Sequence, residues 1–293
     1  MDLNRSVGEG KIGLGKDREF LFSDAHFRVI REFVTENTGI VLTDVKKDMV
    51  YGRLSKYIRK NFEGKFDLFC ETLSRGDDKA ADFLINAITT NLTSFFRENH
   101  HFQYLASHIL PELCGSRQGD KRIRIWSAGC STGEEPYSIA ITLRENIPDI
   151  DEWDVKILAT DLDANVVKHA SHGIYDIDRI SGIPRERQQR WFDRGRGDNE
   201  GFVRIHRSVR EMITFKRLNL LHSWPMKGYF DIIFCRNVVI YFDKSTQADL
   251  FARYADILQP SGYLLIGHSE TLYKVSDRFS SLGNTIYKKI TAL

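Results

Sequence analysis

Residues 219–243 read NLLHSWPMKGYFDIIFCRNVVIYFD and are the most informative part of the sequence about its fold. Within it, the largely apolar run Phe230–Cys235 is followed directly by Arg236 and Asn237. A strand of this composition is typical of a sheet covered on both faces. In open α/β sheets, ligands bind beyond the carboxyl ends of the strands. The stretch therefore predicts an α/β fold with a ligand site close to these two polar residues.

The rest of the chain extends this prediction in two directions. Upstream, helical periodicity predicts helices from Ser23 to Gly39, over 45–61, 66–73 and 79–88, hence a small all-helical domain at 21–113. Downstream, β-rich runs alternate with helices, which predicts a Rossmann-like domain at 114–293. Its expected strands are 123–126, 156–160, 212–217, 230–235 and 263–266, with a final hairpin around 283–284. The segment 171–210 is too long for a βα loop, so we expect an inserted subdomain with a small antiparallel sheet.

Composition excludes several classes of protein. Of 293 residues, 42% are hydrophobic and 28% charged, as in an ordinary globular protein, and a net charge of +2 is too small for a general nucleic-acid binder. The four cysteines form no C-x-x-C pair, which argues against disulfides and zinc. No signal peptide or membrane span is expected, and residues 1–20 are expected to be disordered. A cytoplasmic monomer without membrane insertion is the resulting expectation.

A candidate cofactor loop joins the first predicted strand to a helix. Residues 127–133, SAGCSTG, are small and allow a ligand close to the backbone, although a plain tight βα connection has the same composition. The second predicted strand ends at Asp161, where Rossmann-like sheets bind ribose hydroxyls. Asp161 is alternatively a helix cap, but Asp163 fits that role better, so we assign Asp161 to the ligand.

Three motifs make the chain resemble the CheR family of chemotaxis receptor methyltransferases. They are 85–102 (INAITTNLTSFFRENHHF), 127–141 (SAGCSTGEEPYSIAI) and 219–243, and the resemblance extends over 23–287. It implies a class I methyltransferase fold with S-adenosylmethionine as cofactor, S-adenosylhomocysteine as product, and receptor glutamates as methyl acceptors. The implied cofactor-binding residues are Asn91, Thr93, Arg97, Gly129, Glu135 (rather than Glu134), Asp161, Asn219, Leu220, Arg236 and Asn237.

The implied chemistry needs no general base, because a glutamate is already ionised at neutral pH. The site must instead align and dehydrate the carboxylate. The resemblance brings Arg97 and Tyr241 to the mouth of the site, and we assign them the catalytic role of orienting it. Their alternatives are a surface ion pair of Arg97 with Glu98 or another acid and core packing of Tyr241 against Phe242.

Neither the histidines nor the cysteines predict a metal site. His100 and His101 are adjacent and should diverge on a helix, and His169 and His172 lack a third ligand of suitable spacing.

Two surfaces are candidates for binding methyl-accepting chemoreceptors. The second helix carries a cationic stripe of Lys46, Arg53, Lys56 and Lys60, suited to Glu-rich receptor helices, although such a stripe is often only a solvated face. In the insertion, Gly195, Gly197 and Gly201 lead into the alternating run 202–209, which predicts a strand with an available edge. Some family members bind a C-terminal receptor pentapeptide there, with Arg204 as a candidate contact; alternatively, the glycines only close a hairpin.

Two other functions remain open at this stage. A methyltransferase for a small molecule or nucleic acid would share the cofactor core, and a receptor-binding module without activity would share the surfaces. The intact set of Arg97, Asp161, Arg236 and Tyr241 favours an active enzyme.

Overall fold

The computed structural model describes residues 18–117 and 119–290. Of the predicted disordered segment 1–20, residues 1–17 lie outside this part of the chain. Phe20 N–H, by contrast, donates to Tyr51 Oη at 3.0 Å. The described chain divides into two compact units. One comprises residues up to Val34 with Leu42–Ala87, and the other comprises Thr35–Val41 with the residues from Ile88 onward.

The first unit is helical, as its apolar periodicity predicts. Its helices are α1 (Asp24–Thr38, whose last turn belongs to the second unit), α2 (Lys47–Phe62), α3 (Phe66–Ser74) and α4 (Asp78–Ile88). Ser23 caps α1, since its Oγ accepts from His26 N–H at 3.2 Å. Val50, Leu54 and Ile58 of α2 are buried at helical spacing. Burial of such faces stabilises helices that would be marginal alone.

The second unit is built on a seven-stranded sheet. Its strands are β1 (Arg122–Ala128), β2 (Asp154–Asp161), β6 (Ile213–Arg217), β7 (Phe230–Cys235), β8 (Leu258–Ile266), β9 (Phe279–Gly283) and β10 (Ile286–Lys289). The order is β6-β2-β1-β7-β8-β10-β9. The first five strands are parallel and the last two form the predicted antiparallel hairpin. The order reverses between β1 and β7, and a ligand site is expected at this point.

Helices cover both faces of the sheet and create two hydrophobic cores. They are α5 (His100–Tyr104), α6 (Leu110–Ser116), α7 (Glu134–Asn146), α8 (Ala164–His172) and α11 (Lys244–Ile257). A π-helical turn, Leu105–Ile109, joins α5 to α6. Phe102, Leu105 and Leu113 pack into the core with the sheet. For this reason the division between units falls near residue 88, whereas the sequence placed the end of the helical domain at 113.

The insertion contains the expected antiparallel sheet, with a different arrangement from the one predicted. Its strands are β3 (Ile174–Asp176), β4 (Phe192–Arg194) and β5 (Phe202–Ile205), in the order β3-β5-β4, and its helices are α9 (Arg185–Trp191) and α10 (Arg207–Arg210). The predicted strand 202–209 is too long, because His206 Nδ1 accepts from Ser208 N–H and begins α10. The prediction that this strand has an available edge is wrong, because β5 is paired on both sides.

Among the residues that the structure describes, no helix is both long enough and apolar enough to span a bilayer.

Candidate functional site

A pocket opens in the second unit where β1, β2, β6 and β7 end. Every residue that the sequence assigned to the cofactor or to catalysis lines it. Those residues are Asn91, Thr93, Arg97, Gly129, Glu135, Asp161, Asn219, Leu220, Arg236, Asn237 and Tyr241. The sequence placed them on four separate segments, and the fold brings those segments to one edge of the sheet.

The loop after β1 is held against the end of β2. Gly129 and Cys130 both donate their N–H groups to Thr160 O, at 2.8 and 2.9 Å. Gly129 has φ +92°, and a Cβ on it would lie 2.3 Å from Val238 Cγ2. A side chain at this position would therefore both strain the backbone and displace Val238. The loop needs glycine here, without a G-x-G-x-x-G sequence.

Asp161 faces the pocket and organises the same loop. Its Oδ2 accepts from Ser131 N–H at 2.8 Å and its Oδ1 from Asp163 N–H at 3.0 Å. Burial raises the pKa of Asp161. A carboxylate has about four acceptor positions, so Asp161 keeps acceptor capacity for a hydroxyl donor of a ligand.

Asp163 caps α8 as expected, because its Oδ1 accepts from Asn165 N–H at 2.8 Å. Its Oδ2 accepts from Asn91 Nδ2 at 2.9 Å, and Asn91 O in turn accepts from Ser131 Oγ at 3.0 Å. Asn91 therefore joins the segment upstream of α5 to the loop after β1. The side-chain amide of Asn91 positions that segment, in addition to lining the pocket.

A buried ion-pair network lies behind the pocket. Arg236, 6% exposed, reaches Glu135 Oε2 through Nη1 at 3.1 Å and Glu98 Oε2 through Nη2 at 3.2 Å. Burial raises the pKa of Glu135, although the charge of Arg236 opposes the shift. Burial alone would also raise the pKa of Glu98, but the hydrogen bond from His268 and the charge of Arg236 outweigh it and lower the pKa to about 2. Arg236 is therefore a structural hub as well as a lining residue.

The adjacent residues Glu134 and Glu135 have different surroundings. Glu134 is fully buried and paired with Arg179 of the insertion, and it does not line the pocket. Arg179 Nη2 also donates to Thr93 O at 2.9 Å. The insertion thus contributes a cation that holds the pocket-lining segment around Thr93 in place.

Arg97 and Tyr241 both line the pocket and are half-buried. Arg97 Nη1 donates to Leu92 O at 2.9 Å, while Glu98 pairs with Arg236 and His268. The alternative of an Arg97–Glu98 pair is therefore not what the structure contains. Phe242 packs against a hydrophobic core, and Tyr241 O accepts from Val41 N–H at 2.9 Å.

Sequence reasoning missed several contributors to the site. Thr38 at the end of α1 and Ile40 just after it line the pocket, although they lie far before β1 in the sequence. Apolar side chains form the remaining wall: Ile88, Leu162, Leu218, Val238 and Phe242. Glu98 and Glu270 organise the site from behind. In the sequence, Glu98 could have been noticed because it is next to Arg97, a predicted site residue. No local pattern distinguishes Glu270.

A cluster of metal-ligand types lies beside the network. Glu98, His100 and His101 have ligand atoms within 4.8 Å of one another, although the sequence predicted divergent histidines. His101 Nε2 lies 2.9 Å from Asn284 O, while its Nδ1 has no hydrogen-bond partner among the described residues. The guanidinium of Arg236 contacts the carboxylate of Glu98, and its positive charge disfavours a cation at this position.

The predicted receptor-binding stripe on α2 is only partly available. Lys46, Lys56 and Lys60 are exposed and have no ion pair within the described ranges. Arg53 is half-buried, and its Nη1 donates to Ala87 O at 3.1 Å. Arg53 therefore belongs to the packing of the first unit rather than to a free cationic face.

In the insertion, Arg204 is exposed on β5, opposite Asp193 of β4 and Ile174 of β3. Position 195 needs glycine for a steric reason, because a Cβ there would lie 1.9 Å from Asn199 O. Gly197 and Gly201 have φ +59° and +90°, with open space around a built Cβ.

Two family models together match most of the chain. Residues 91–288 match the family described as "CheR methyltransferase, SAM binding domain", and residues 25–89 match "CheR methyltransferase, all-alpha domain". The chain is 41% identical to the "Chemotaxis protein methyltransferase" of Salmonella typhimurium, over 96% of this chain and 95% of that protein. It is 42% identical to "Chemotaxis protein methyltransferase 2" of Pseudomonas aeruginosa, over 92% and 95%. The "Chemotaxis protein methyltransferase" of Escherichia coli is 40% identical, over 96% of both chains.

Proposed function

Because this chain belongs to the CheR methyltransferase family, we propose that it transfers a methyl group from S-adenosylmethionine to glutamate side chains of chemoreceptors. The observation that carries the proposal is the convergence of four separate segments on one pocket at the carboxyl edge of the sheet. We further propose that the enzyme acts as a cytoplasmic monomer, since its substrate would be the cytoplasmic helices of the receptors.

The donor set of the pocket fits the cofactor. Asp161 retains acceptor positions for ribose hydroxyls, and Leu162, Leu218 and Leu220 offer an apolar surface for a purine. Glu135 adds a second carboxylate to a pocket that would receive a cationic ligand. When bound, S-adenosylmethionine supplies an electrophilic methyl group on a sulfonium.

The residues of the chain then have only to bring a carboxylate into line. Arg97 is held by Leu92 O through one nitrogen, which leaves donors for the glutamate. Tyr241 supplies a hydroxyl at the same pocket. Together they would orient the nucleophile and replace part of its hydration, which is the main contribution an aligned displacement needs.

The test is transfer of labelled methyl from S-adenosylmethionine to receptor-containing membranes, followed by base treatment. Carboxyl methyl esters release methanol in base, whereas N-methyl groups do not. Receptors whose methylation-region glutamates are changed to alanine serve as the control. Stable label would favour another methyltransferase class, and cofactor binding without transfer would favour a binding module.

Receptor docking would use two surfaces. The first is the basic face of α2, here defined as Lys46, Lys56 and Lys60, which complements Glu-rich helices. The second is the outer edge of β4, which would accept a receptor C-terminal pentapeptide as an added strand. The pairing with β5 directs the backbone groups of Arg194 away from β5. Arg194 and Arg196 are exposed beside this edge and would attract a terminal carboxylate, whereas the outer edge of β3 carries Asp176.

Two proline variants identify the edge that is used. Arg194→Pro removes an outward N–H on β4, and Asp176→Pro makes the same change on β3, where φ of −60° suits proline. Calorimetric titration with the pentapeptide should show binding of micromolar order that is lost in Arg194→Pro and retained in Asp176→Pro. The opposite pattern would move the docking edge to β3, and no binding by the unmodified protein would exclude this surface.

A further inference from the structure

The turn that follows β8 contains a buried acid outside the pocket. Glu270 is 5% exposed, and the turn begins at Gly267, where β8 has just ended beside β7. The backbone N–H of Glu270 donates to Gly267 O at 2.9 Å, and this hydrogen bond closes the turn. A buried carboxylate is costly unless its oxygens accept hydrogen bonds, so the partners of Glu270 indicate what it is for.

All of the described partners of the Glu270 carboxylate are backbone N–H groups. Oε1 accepts from Val238, Val239 and Ile240, at 2.9, 2.9 and 3.3 Å. Oε2 accepts from Asn237 at 3.0 Å and from Gly267 at 2.5 Å. Four of the five donors are consecutive, and they converge on one anion as in a backbone nest. They lead into a 3₁₀ turn, Val239–Tyr241, whose first N–H groups have no partner within the turn itself.

The segment held in this way is the one that follows β7 and reaches the pocket. Asn237, Val238 and Tyr241 line the pocket, and Asn237 has φ +57°, which is uncommon for a residue other than glycine. A backbone in this region needs support from its surroundings to remain there. Glu270 supplies that support from behind.

Gly267 provides an independent sign that this contact is close. A Cβ on Gly267 would lie 2.4 Å from Asn237 Nδ2 and 2.8 Å from Asn237 N. The turn after β8 can therefore approach the segment after β7 only because position 267 has no side chain. The same turn reaches the other side of the site, because His268 Nδ1 lies 2.8 Å from Glu98 Oε1.

We propose that Glu270 is a positioning residue: its carboxylate fixes the backbone of residues 237–240 so that Asn237 and Tyr241 face the pocket. Glu270 itself does not line the pocket. The part that concerns Tyr241 rests on the proposed function, whereas the part that concerns Asn237 depends only on cofactor binding.

The first test is Glu270→Gln in the full chain. Glutamine keeps one acceptor oxygen and places an NH₂ donor where the second oxygen was, so one set of backbone N–H groups loses its partner. We expect S-adenosylmethionine to bind about tenfold more weakly by calorimetry, with unchanged stoichiometry. Amide hydrogen exchange at 237–240 should accelerate, while the core strands β1 and β7 stay protected. Glu112→Gln is the matched control, because its carboxylate pairs with Lys288 and Tyr263 outside the pocket.

Stoichiometry separates positioning from folding. A purely structural role would reduce the fraction of folded protein, and hence the number of sites per chain, while the remaining sites kept their affinity. A folded Glu270→Gln protein with the affinity of the unmodified chain would overturn the proposal.

The second test applies even if Glu270→Gln does not fold. Gly267→Ala keeps the carboxylate, but its Cβ pushes against both Asn237 and Glu270 Oε2, and it should weaken cofactor binding in the same direction. Gly52→Ala, on the open surface of α2, is its control. A Gly267→Ala protein with full affinity would also contradict the inference.

The outcome is distinguishable from a failure of the proposed function. Cofactor affinity and amide exchange are measured without receptor, so they test Glu270 even if no receptor is methylated. If methylation is found, the Glu270→Gln enzyme should lose kcat beyond the effect of unsaturated cofactor, because Tyr241 follows the same segment.

Discussion

The pocket of the second unit and the basic face of α2 use charge in opposite ways. In the pocket network, Arg236 is 6% exposed and its position is set by Glu98, Glu135 and the carbonyl of Arg97. In the basic face of α2, Lys46 at the N-cap and Lys56 and Lys60 on the helix are exposed and have no ion pair with any described residue. Buried, paired charges such as Arg236 fix the positions of the side chains around them. Exposed charges such as the lysines of the basic face attract an acidic partner over a long range but do not fix its position. The two regions should therefore respond differently to mutation, pH and salt.

The sharpest test of this contrast is removal of Arg236. Arg236→Ala leaves the buried carboxylate of Glu135 without its cation and removes one of the two groups paired with Glu98, and we expect the free energy of unfolding to fall by about 3–5 kcal/mol. Denaturant titration measures this loss. Arg75→Ala, which removes an exposed i,i+4 pair with Glu71, should cost less than about 1 kcal/mol. A similarly small loss of unfolding free energy in both variants would mean that the buried ion pairs of Arg236 contribute no more to stability than an exposed pair.

Asp161 tests the same contrast through ligand affinity rather than folding. Asp161→Ala should weaken S-adenosylmethionine binding by about 1–3 kcal/mol, because ribose hydroxyls and the N–H of Ser131 lose an acceptor. Asp161→Asn keeps one acceptor oxygen, so its affinity for S-adenosylmethionine should lie between those of the unmodified protein and Asp161→Ala. Asp154→Ala at the amino end of β2 is the control, since it lies at the opposite end of the same strand. Calorimetry with unchanged affinity in a folded Asp161→Ala protein would remove Asp161 from the cofactor site.

The pocket network should also make stability depend on pH. Burial, reinforced by the charge of Arg236, lowers the pKa of His101 from 6.5 to about 4. Between these values the unfolded chain binds more protons than the folded chain, so the free energy of unfolding falls as pH falls. From pH 6.5 to about pH 5 we expect a loss of roughly 1–2 kcal/mol from this group. Glu98 acts in the same direction at lower pH, from 4.5 down to about 2, because its pKa is lowered as well.

Urea titrations at several pH values check this slope. In His101→Gln the part of the slope between pH 6.5 and about pH 5 should disappear, while exposed His222→Gln should retain it. A slope that is the same in all three proteins would assign the pH dependence to other groups.

The sequence predicted the sheet and the pocket better than the contacts behind the pocket. Strand position follows from local apolar runs, and parallel strands deliver their carboxyl ends to one edge, so Asp161 and Arg236 could be assigned to the site before the fold was known. The partners of Arg236, and the segment 237–240 that donates to Glu270, could not be predicted, because they lie about 30 or more positions away and no local pattern encodes these contacts.

The same limit explains two of the corrections. Helical periodicity placed Arg53 on the stripe, but the acceptor that draws it inward, Ala87 O, lies at the end of another helix. Alternation predicted a strand beginning at Phe202, but alternation carries no information about strand order. The pairing of β5 with both β3 and β4 therefore became visible only in the fold.

The smallest effects per residue should come from the basic face of α2. Each exposed pair with a receptor glutamate should contribute less than about 1 kcal/mol, but three charge reversals act together on the encounter with an acidic helix. Lys46, Lys56 and Lys60, all changed to Glu, should slow receptor methylation while cofactor affinity stays unchanged, and the rate of the unmodified enzyme should fall as salt rises. Arg53 is left intact because it bonds to Ala87 O.

The control reverses three other exposed lysines, Lys79, Lys168 and Lys227, and so makes the same change in net charge. If both triple variants slow methylation equally, net charge governs the encounter and the face on α2 has no special role; if neither does and the rate ignores salt, that face is only solvated.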